Sequence, residues 1–223
     1  MNEQEKKNAA LKAVTYIKSG QTIGLGTGST AYYAIQKVGE LVKEGLNIKA
    51  IPTSEATKKM AAELGIPLAA INDVAVIDVT IDGADEFDPQ LRLIKGGGGA
   101  LLREKIVASI TRQQIIIADS SKQVERLGAF KVPVEVIPFA SNVVARKLST
   151  LNGTAVLRSK NGQTYLTDQQ NYILDVDFGL INDPDLLAKE LDHITGVVEH
   201  GLFINMASMV ICGAGEDTRT YQV

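Results

Sequence analysis

A chain of 223 residues that is 45% hydrophobic buries roughly 70 to 75% of its unfolded surface, enough for one large domain or one and a half. A net charge of −3, with no run of lysines or arginines interleaved with aromatics, argues against a nucleic-acid surface and leaves room for a local phosphate site. No apolar run approaches the ~20 residues that a bilayer span needs, and the polar start Met-Asn-Glu-Gln-Glu-Lys-Lys lacks the apolar stretch of a secretory signal, so a cytoplasmic location is expected.

Apolar residues at Ala9, Ala10, Ala13, Val14 and Ile17 set a helical spacing over Glu3 to Lys18, which Ser19-Gly20 stops. Thr22 to Leu25 is short and apolar and predicts a buried strand. Gly24-Leu-Gly-Thr-Gly-Ser-Thr30 then leads into an amphipathic helix through Tyr33, Ile35, Val38 and Leu41, closed by Gly45. Asn47 to Ile51 reads as the next strand, and Pro52-Thr-Ser-Glu starts a helix ending at Leu64-Gly65. This β-α-β alternation predicts a parallel sheet. Val74 to Ile81 is the strand that carries Asp82 and Asp85 to a loop at its C-terminal end, the edge where open parallel sheets place ligands.

From Asp82 to Lys105, two carboxylates spaced by Gly-Ala precede Lys95 and four glycines, which open a helix (Ala100 to Thr111) carrying Glu104. Without a Cβ, Gly96 to Gly99 can take positive φ and let a ligand touch the backbone, while N–H groups at the start of the next helix favour an anion. Gln114 to Ala118 is another buried strand, ending at Asp119-Ser-Ser-Lys122. The pattern changes near Gly128. From Val132 the order is strand (Val132 to Ile137), helix (Ser141 to Leu151), strand (Thr154 to Arg158), an Asn161-Gly162 hairpin turn, strand (Tyr172 to Val176), helix (Pro184 to Leu191) and strand (Val197, Val198). That is βαββαβ, a ferredoxin-like small domain. Gly201 to Gly213 is apolar again and is expected to rejoin the first sheet, leaving Glu216 to Val223 as a polar tail.

The turn Gly24-x-Gly26-x-Gly28 invites a dinucleotide, but Ser29 stands where that fingerprint wants glycine or alanine, and Ile51-Pro52-Thr53 where it wants an acid. No lysine stands where a triphosphate-binding loop requires one. Thr27, Ser29 and Thr30 instead offer hydroxyls and backbone N–H groups at a helix N-terminus, which suits one phosphate monoester; the other reading is an ordinary cap by Ser29 or Thr30. Cys212, the single cysteine, reads as a small core residue. The two histidines, His193 and His200, read as packing or surface and leave zinc almost no ligands. A phosphate grip, carboxylates, and lysines at 95 and 122 suit proton transfer α to a carbonyl on a sugar phosphate, without a redox cofactor.

Gly-Thr-Gly-Ser-Thr (26 to 30), Pro-Thr-Ser (52 to 54), Asp-Gly-Ala-Asp-Glu (82 to 86), Lys-Gly-Gly-Gly-Gly-Ala-Leu-Leu-Arg-Glu-Lys (95 to 105), Ser-Lys (121 and 122), Pro-Val-Glu-Val-Ile-Pro-Phe-Ala (133 to 140) and His-Gly-Leu-Phe (200 to 203) together resemble ribose-5-phosphate isomerase of type A. The match is in order and covers nearly the whole chain, apart from Ser208-Met209 and the tail from Ala214. The resemblance implies interconversion of ribose 5-phosphate and ribulose 5-phosphate through an enediolate in the pentose phosphate pathway. It also implies a reaction without a metal or other cofactor, carried out by a homodimer or a dimer of dimers. Position by position it implies Glu104 as general base, Lys95 stabilising the enediolate, and Asp82 and Asp85 holding sugar hydroxyls and assisting ring opening. Thr27, Gly28, Ser29, Thr30, Gly83, Ala84, Gly96, Gly97, Gly98 and Lys122 complete the substrate-binding positions. The implied fold is a Rossmann-like α/β catalytic domain with a parallel sheet, residues 1–128 and 200–223, with an inserted α+β, ferredoxin-like lid domain at 129–199. Two rivals are a non-catalytic sugar-phosphate sensor, for which no DNA-reading segment is seen ahead of the sheet, and acyl-CoA transfer with Glu104 as nucleophile, for which no distinct CoA site is seen.

Overall fold

The structure is a computed structural model and describes residues 2–222. Its first half runs α1 (Asn2–Val14), β1 (Thr22–Leu25), α2 (Ser29–Lys43), β2 (Lys49–Pro52), α3 (Glu55–Glu63), β3 (Ile77–Gly83), β4 (Glu86–Phe87), β5 (Leu93–Ile94), α4 (Leu101–Ser109) and β6 (Thr111–Ala118). The remainder is β7 (Val132–Val136), α5 (Ser141–Thr150), β8 (Thr154–Leu157), β9 (Ser159–Lys160), β10 (Gln163–Thr164), β11 (Tyr172–Asp177), α6 (Pro184–Asp192), β12 (Val197–His200), β13 (Leu202–Phe203), β14 (Met209–Ala214) and β15 (Asp217–Gln222). Two compact units result: the first takes the chain up to Ala84, Arg103–Gln123 and the chain from Met206 on, and the second takes Asp85–Leu102 and Val124–Asn205.

The first unit is a six-stranded sheet in the order β15-β14-β6-β3-β1-β2. Neighbours from β14 to β2 are parallel, the α/β arrangement that the strand-helix alternation predicts. Its central strands are continuous apolar runs, as in Ile115, Ile116 and Ile117, because helices cover both faces and alternation would bury polar groups. The small face of α1, Ala9, Ala10 and Ala13, joins Ala34, Ile35 and Val38 of α2 in the core over β1 and β3. The segment expected as a polar tail is instead β15, antiparallel to β14 over Asp217 to Gln222. It reads as polar because it is a largely exposed edge strand. With β1 lying between β2 and β3, the direction of winding reverses between β1 and β3, the place where doubly wound sheets open a crevice.

In the second unit, β12-β7-β11-β8 form an antiparallel sheet under α5 and α6. Alternate residues Val132, Val134 and Val136 of β7 meet Val144, Leu148 and Leu191 of the helices. This is the ferredoxin-like order expected of βαββαβ. Asn161 and Gly162 take φ of 54° and 77°, as a two-residue primed turn requires, but they join β9 to β10 in a separate ribbon rather than linking β8 directly to β11. A three-stranded sheet, β13-β5-β4, was not expected; through it the segment from Asp85 to Leu102 belongs to this unit, whereas the expected boundaries put the second domain at 129–199. Among the described residues no helix is long and apolar enough to cross a membrane.

Candidate active site

In the first unit the turn after β1 passes so close to β3 that a Cβ on Gly26 would lie 2.1 Å from Asp82 Oδ1 and 2.5 Å from Asp82 Cα. Asp82 is fully buried within β3, one residue beyond the predicted strand end. Its Oδ1 accepts from Thr27 N at 3.1 Å and Gly83 N at 2.8 Å. The Thr27 hydroxyl sits among those of Thr53 (2.8 Å), Ser54 (2.9 Å) and Thr57 (3.2 Å), and Thr57 Oγ1 donates to Gly26 O at 2.9 Å. Both sides of the turn are therefore anchored before α2 begins.

Gly28, at φ 115°, is the N-cap of α2, and no side-chain hydrogen bond caps that end. Ser29 and Thr30 are the first residues of the helix, so the ordinary-cap reading does not hold. A helix start with its N–H groups uncapped by a side chain is a ready anion site. Lys122 closes a short 3₁₀ turn after β6, where Asp119 Oδ1 accepts from Ser121 N at 3.1 Å. Because β6, β3 and β1 are adjacent and parallel, Lys122, Asp82 and Thr27 to Thr30 all arrive at one edge of this sheet. Glu104 is buried in the first turn of α4, and the next turn places Val107 against Ile51 and Ile77. Beside it Arg103 pairs with Glu55 at 2.8 Å, and this hydrogen bond, more than the nearby Lys58 and Arg103 charges, holds the Glu55 carboxyl below its usual range.

In the second unit Asp85 is half-buried and its Oδ2 accepts from Gly97 N at 2.7 Å. Lys95 is 2% exposed, with Nζ 5.4 Å from the centroid of the Phe203 ring. Its backbone is pinned at N by Gly201 O at 2.8 Å, and a Cβ on Gly201 would lie 2.3 Å from Lys95 O. Of the four glycines, Gly96 (φ 100°) and Gly99 (φ 82°) take the left-handed backbone, and Gly99 N donates to Gly96 O at 2.9 Å. Gly97 is constrained differently: its Cβ would lie 2.6 Å from Asp85 Oδ1. Asp82, Gly83, Ala84, Glu104 and Lys122 thus belong to the first unit, and Asp85, Lys95 and Gly96 to Gly98 to the second.

Two groups escaped the sequence reading. The hydroxyls of Thr53, Ser54 and Thr57 had only the Pro-Thr-Ser motif to flag them. Arg158 and Tyr165, which reach carbonyls of the glycine loop, had as their signal an aspartate, Asp175, inside the apolar strand Tyr-Ile-Leu-Asp-Val. Cys212 is buried as expected, its thiol pushed up to about 11 by desolvation and then by Glu5 and Asp119. His193 is exposed; His200 is buried, with Nδ1 accepting from Leu202 N at 3.2 Å and Nε2 3.1 Å from Asp192 Oδ1. Asp192, Glu199 and His200 bring three possible ligand atoms within 4.8 Å, and none of them is among the expected site residues.

The family model described as ribose 5-phosphate isomerase A (phosphoriboisomerase A) matches residues 49–217. The chain belongs to this family. Ribose-5-phosphate isomerase A of Parvibaculum lavamentivorans is 50% identical over 97% of this chain and 96% of its own, and that of Streptococcus gordonii 50% identical over 94% and 93%. Among solved structures, ribose 5-phosphate isomerase A from Methanocaldococcus jannaschii is 41% identical, with a TM-score of 0.93 over 98% of both chains. A D-ribose-5-phosphate isomerase in complex with phospho-erythronic acid is also 41% identical, with a TM-score of 0.97 over 100% of both chains. The ribose 5-phosphate isomerase A fold therefore extends over essentially the whole chain.

Proposed function

We propose that this protein, a ribose 5-phosphate isomerase A by family, interconverts D-ribose 5-phosphate and D-ribulose 5-phosphate in the non-oxidative pentose phosphate pathway. It is an aldose-ketose isomerase. The observation that carries the reading of its site is Glu104, a carboxylate buried at a helix start rather than solvated as an ordinary helix charge would be. In the open-chain aldose Glu104 takes the proton from C2. The carbonyl at C1 becomes part of an enediolate, a proton passes from O2 to O1, and the same carboxyl returns its proton to C1, leaving the carbonyl at C2. Negative charge grows on the two oxygens as this happens, and the buried ammonium of Lys95 opposes it at little cost in reorganisation. Asp82 and Asp85 hold sugar hydroxyls and assist ring opening. The uncapped N-terminus of α2, with Ser29, Thr30 and Lys122, takes the phosphate dianion, while the anchored Thr27 and Gly28 shape the turn and Gly83, Ala84 and Gly96 to Gly98 line the sugar. The enzyme named with phospho-erythronic acid supports this chemistry, since an aldonic acid phosphate carries the paired oxygens of an enediolate. Residues 129–199 serve as a lid to a catalytic domain of 1–128 and 200–223, and the enzyme works in the cytoplasm as a homodimer or dimer of dimers.

The test is to follow ribose 5-phosphate in heavy water by NMR with the wild-type protein and with Glu104→Gln. Wild type forms ribulose 5-phosphate and C2-deuterated aldose; Glu104→Gln binds the sugar phosphate and loses at least about 100-fold in kcat, the usual cost of removing a general base. Wild-type C2 exchange in Glu104→Gln would take the base role from Glu104.

A further inference from the structure

The glycine loop of the second unit is held from its carbonyl side by a guanidinium that none of the roles above uses. Arg158 follows β8, with a side chain 13% exposed. Nε donates to Asp175 Oδ2 at 2.9 Å and Nη2 pairs with Asp175 Oδ1, so two parallel bonds fix the plane of the group. That leaves Nη1 aimed at the loop, where it donates to Gly96 O at 2.9 Å and Gly97 O at 3.2 Å. Tyr165 continues the row: its hydroxyl lies 3.4 Å from Gly98 O, and its ring centroid 5.9 Å from the Arg158 guanidinium carbon. Three successive carbonyls are thus turned toward two side chains.

In a planar trans peptide the N–H points opposite to the C=O. Gripping Gly96 O and Gly97 O therefore turns the N–H groups of Gly97 and Gly98 the other way. For Gly97 the result is the bond to Asp85 Oδ2 at 2.7 Å. Gly98, exposed, carries the next N–H on that side. Without Arg158 the peptide that joins Gly97 to Gly98, residues with no side chains of their own, could rotate about φ and ψ and present a carbonyl there instead.

We propose that Arg158, locked by Asp175, is a positioning residue for the isomerisation: it touches no substrate but sets the Gly96 and Gly97 peptides so that the Gly97 N–H holds the Asp85 carboxylate and the Gly98 N–H is offered to a sugar oxygen. The assignment rests on Gly96 to Gly98 being substrate-binding. A cavity of about 440 Å³ lined in part by Gly97, Lys131, Arg158 and Asp175 gives small solutes access to the same place, which makes chemical rescue feasible.

The experiment compares wild type, Arg158→Ala, Arg158→Lys, Asp175→Asn and Glu104→Gln for steady-state turnover of ribose 5-phosphate, affinity for phospho-erythronic acid and thermal midpoint, with and without millimolar ethylguanidinium. Arg158→Ala is expected to lose on the order of 10- to 100-fold in kcat/KM, the scale of a misplaced binding group, and to lose affinity for phospho-erythronic acid in step. Ethylguanidinium restores part of the loss in Arg158→Ala and nothing in Glu104→Gln. Arg158→Lys keeps the charge but not the fork and falls between. If Arg158→Ala does not fold, Asp175→Asn carries the test, since it loosens the guanidinium while leaving its contacts to the loop possible; the expected loss is smaller and again shared by kcat/KM and inhibitor affinity. Full activity in Arg158→Ala, or a loss that follows the thermal midpoint alone and ignores ethylguanidinium, overturns the proposal. If Glu104→Gln is inactive while Arg158→Ala is normal, the isomerase site stands and this inference falls; if Glu104→Gln is itself normal, both fall.

Discussion

Asp82 in the first unit and Asp85 in the second each accept an N–H from a glycine-rich turn, Thr27 N at 3.1 Å in one case and Gly97 N at 2.7 Å in the other. Their surroundings differ. Asp82 is fully buried, and a Cβ on Gly26 would meet its Cα at 2.5 Å as well as its carboxylate oxygen at 2.1 Å, so this turn is packed on main chain in addition to its side-chain hydrogen bonds. Asp85 is half-buried, and the atoms nearest a Cβ on Gly97 are its carboxylate oxygens, at 2.6 Å and 3.0 Å. The second turn takes its shape from side chains, Asp85 on one side and Arg158 on the other. A turn packed against main chain fails by clash, whereas one held chiefly by side chains fails by loss of a hydrogen bond.

The sharpest way to break this comparison is to neutralise each aspartate. Asp82→Asn is expected to cost about 100-fold in kcat, since a buried carboxylate with two N–H donors on one oxygen gives up charge-assisted bonds of roughly 1.5 to 3 kcal/mol each. Asp85→Asn should cost about tenfold, because water compensates a half-buried group. Steady-state turnover of ribose 5-phosphate measures both, and equal losses would mean that burial does not separate the two roles.

Alanine at the two glycines comes next. Gly26→Ala should destabilise by about 2 to 3 kcal/mol in urea unfolding, as overpacking against fixed backbone does, and Gly97→Ala by less than about 1 kcal/mol because a carboxylate can rotate away. The reverse order would show that the Asp82 strand yields more readily than the Asp85 side chain.

The smallest effects concern two other buried carboxylates, one per unit, which extend the comparison to pH. Glu5 accepts from Gly215 N (3.0 Å), Ser120 N (3.0 Å) and Ser120 Oγ (2.7 Å), and the Gly215 bond leads in holding it below the usual 4.5. Glu135 accepts from Thr167 Oγ1 (2.8 Å) and Asn171 Nδ2 (2.9 Å) on one oxygen only; the other is buried without a hydrogen-bond partner, and desolvation, aided by Glu199 and Asp168, raises it. A lowered carboxyl stabilises above its unfolded value and loses that contribution as pH falls through the folded one. A raised carboxyl contributes fully below its unfolded value and loses the contribution as pH rises through the folded one. Thermal midpoints against pH should therefore show Glu5→Gln flattening the acid limb below about pH 5, and Glu135→Gln raising the midpoint at neutral pH by a few degrees but not in acid. Parallel shifts in the two variants would break the contrast.

Much of this molecule was legible in order along the chain. Apolar spacing and glycine stops mark α1 to α3 and β1 to β3 to within a few residues, because helix and strand periods are local properties. The seven motifs that single out the family are local as well, and so are the positions of Asp82, Lys95 and Glu104 within them. The misses have one character. β4, β5 and β13 are two residues long and carry no period, so only their mutual pairing makes them strands. The tail became β15 because β14 offers it an edge. Arg158 lies 62 residues from the glycine it grips, and Glu5 lies 210 from the Gly215 N–H it accepts. Helices and long strands, the order in which they alternate, and the residues that carry reactive groups all follow from local spacing and residue type. Tertiary structure alone decided which short segments pair, which polar groups are buried, and which carbonyl or carboxylate each one meets. Those outcomes depend on contacts between distant segments, and nothing in the local spacing of a residue records the partner that folding brings to it.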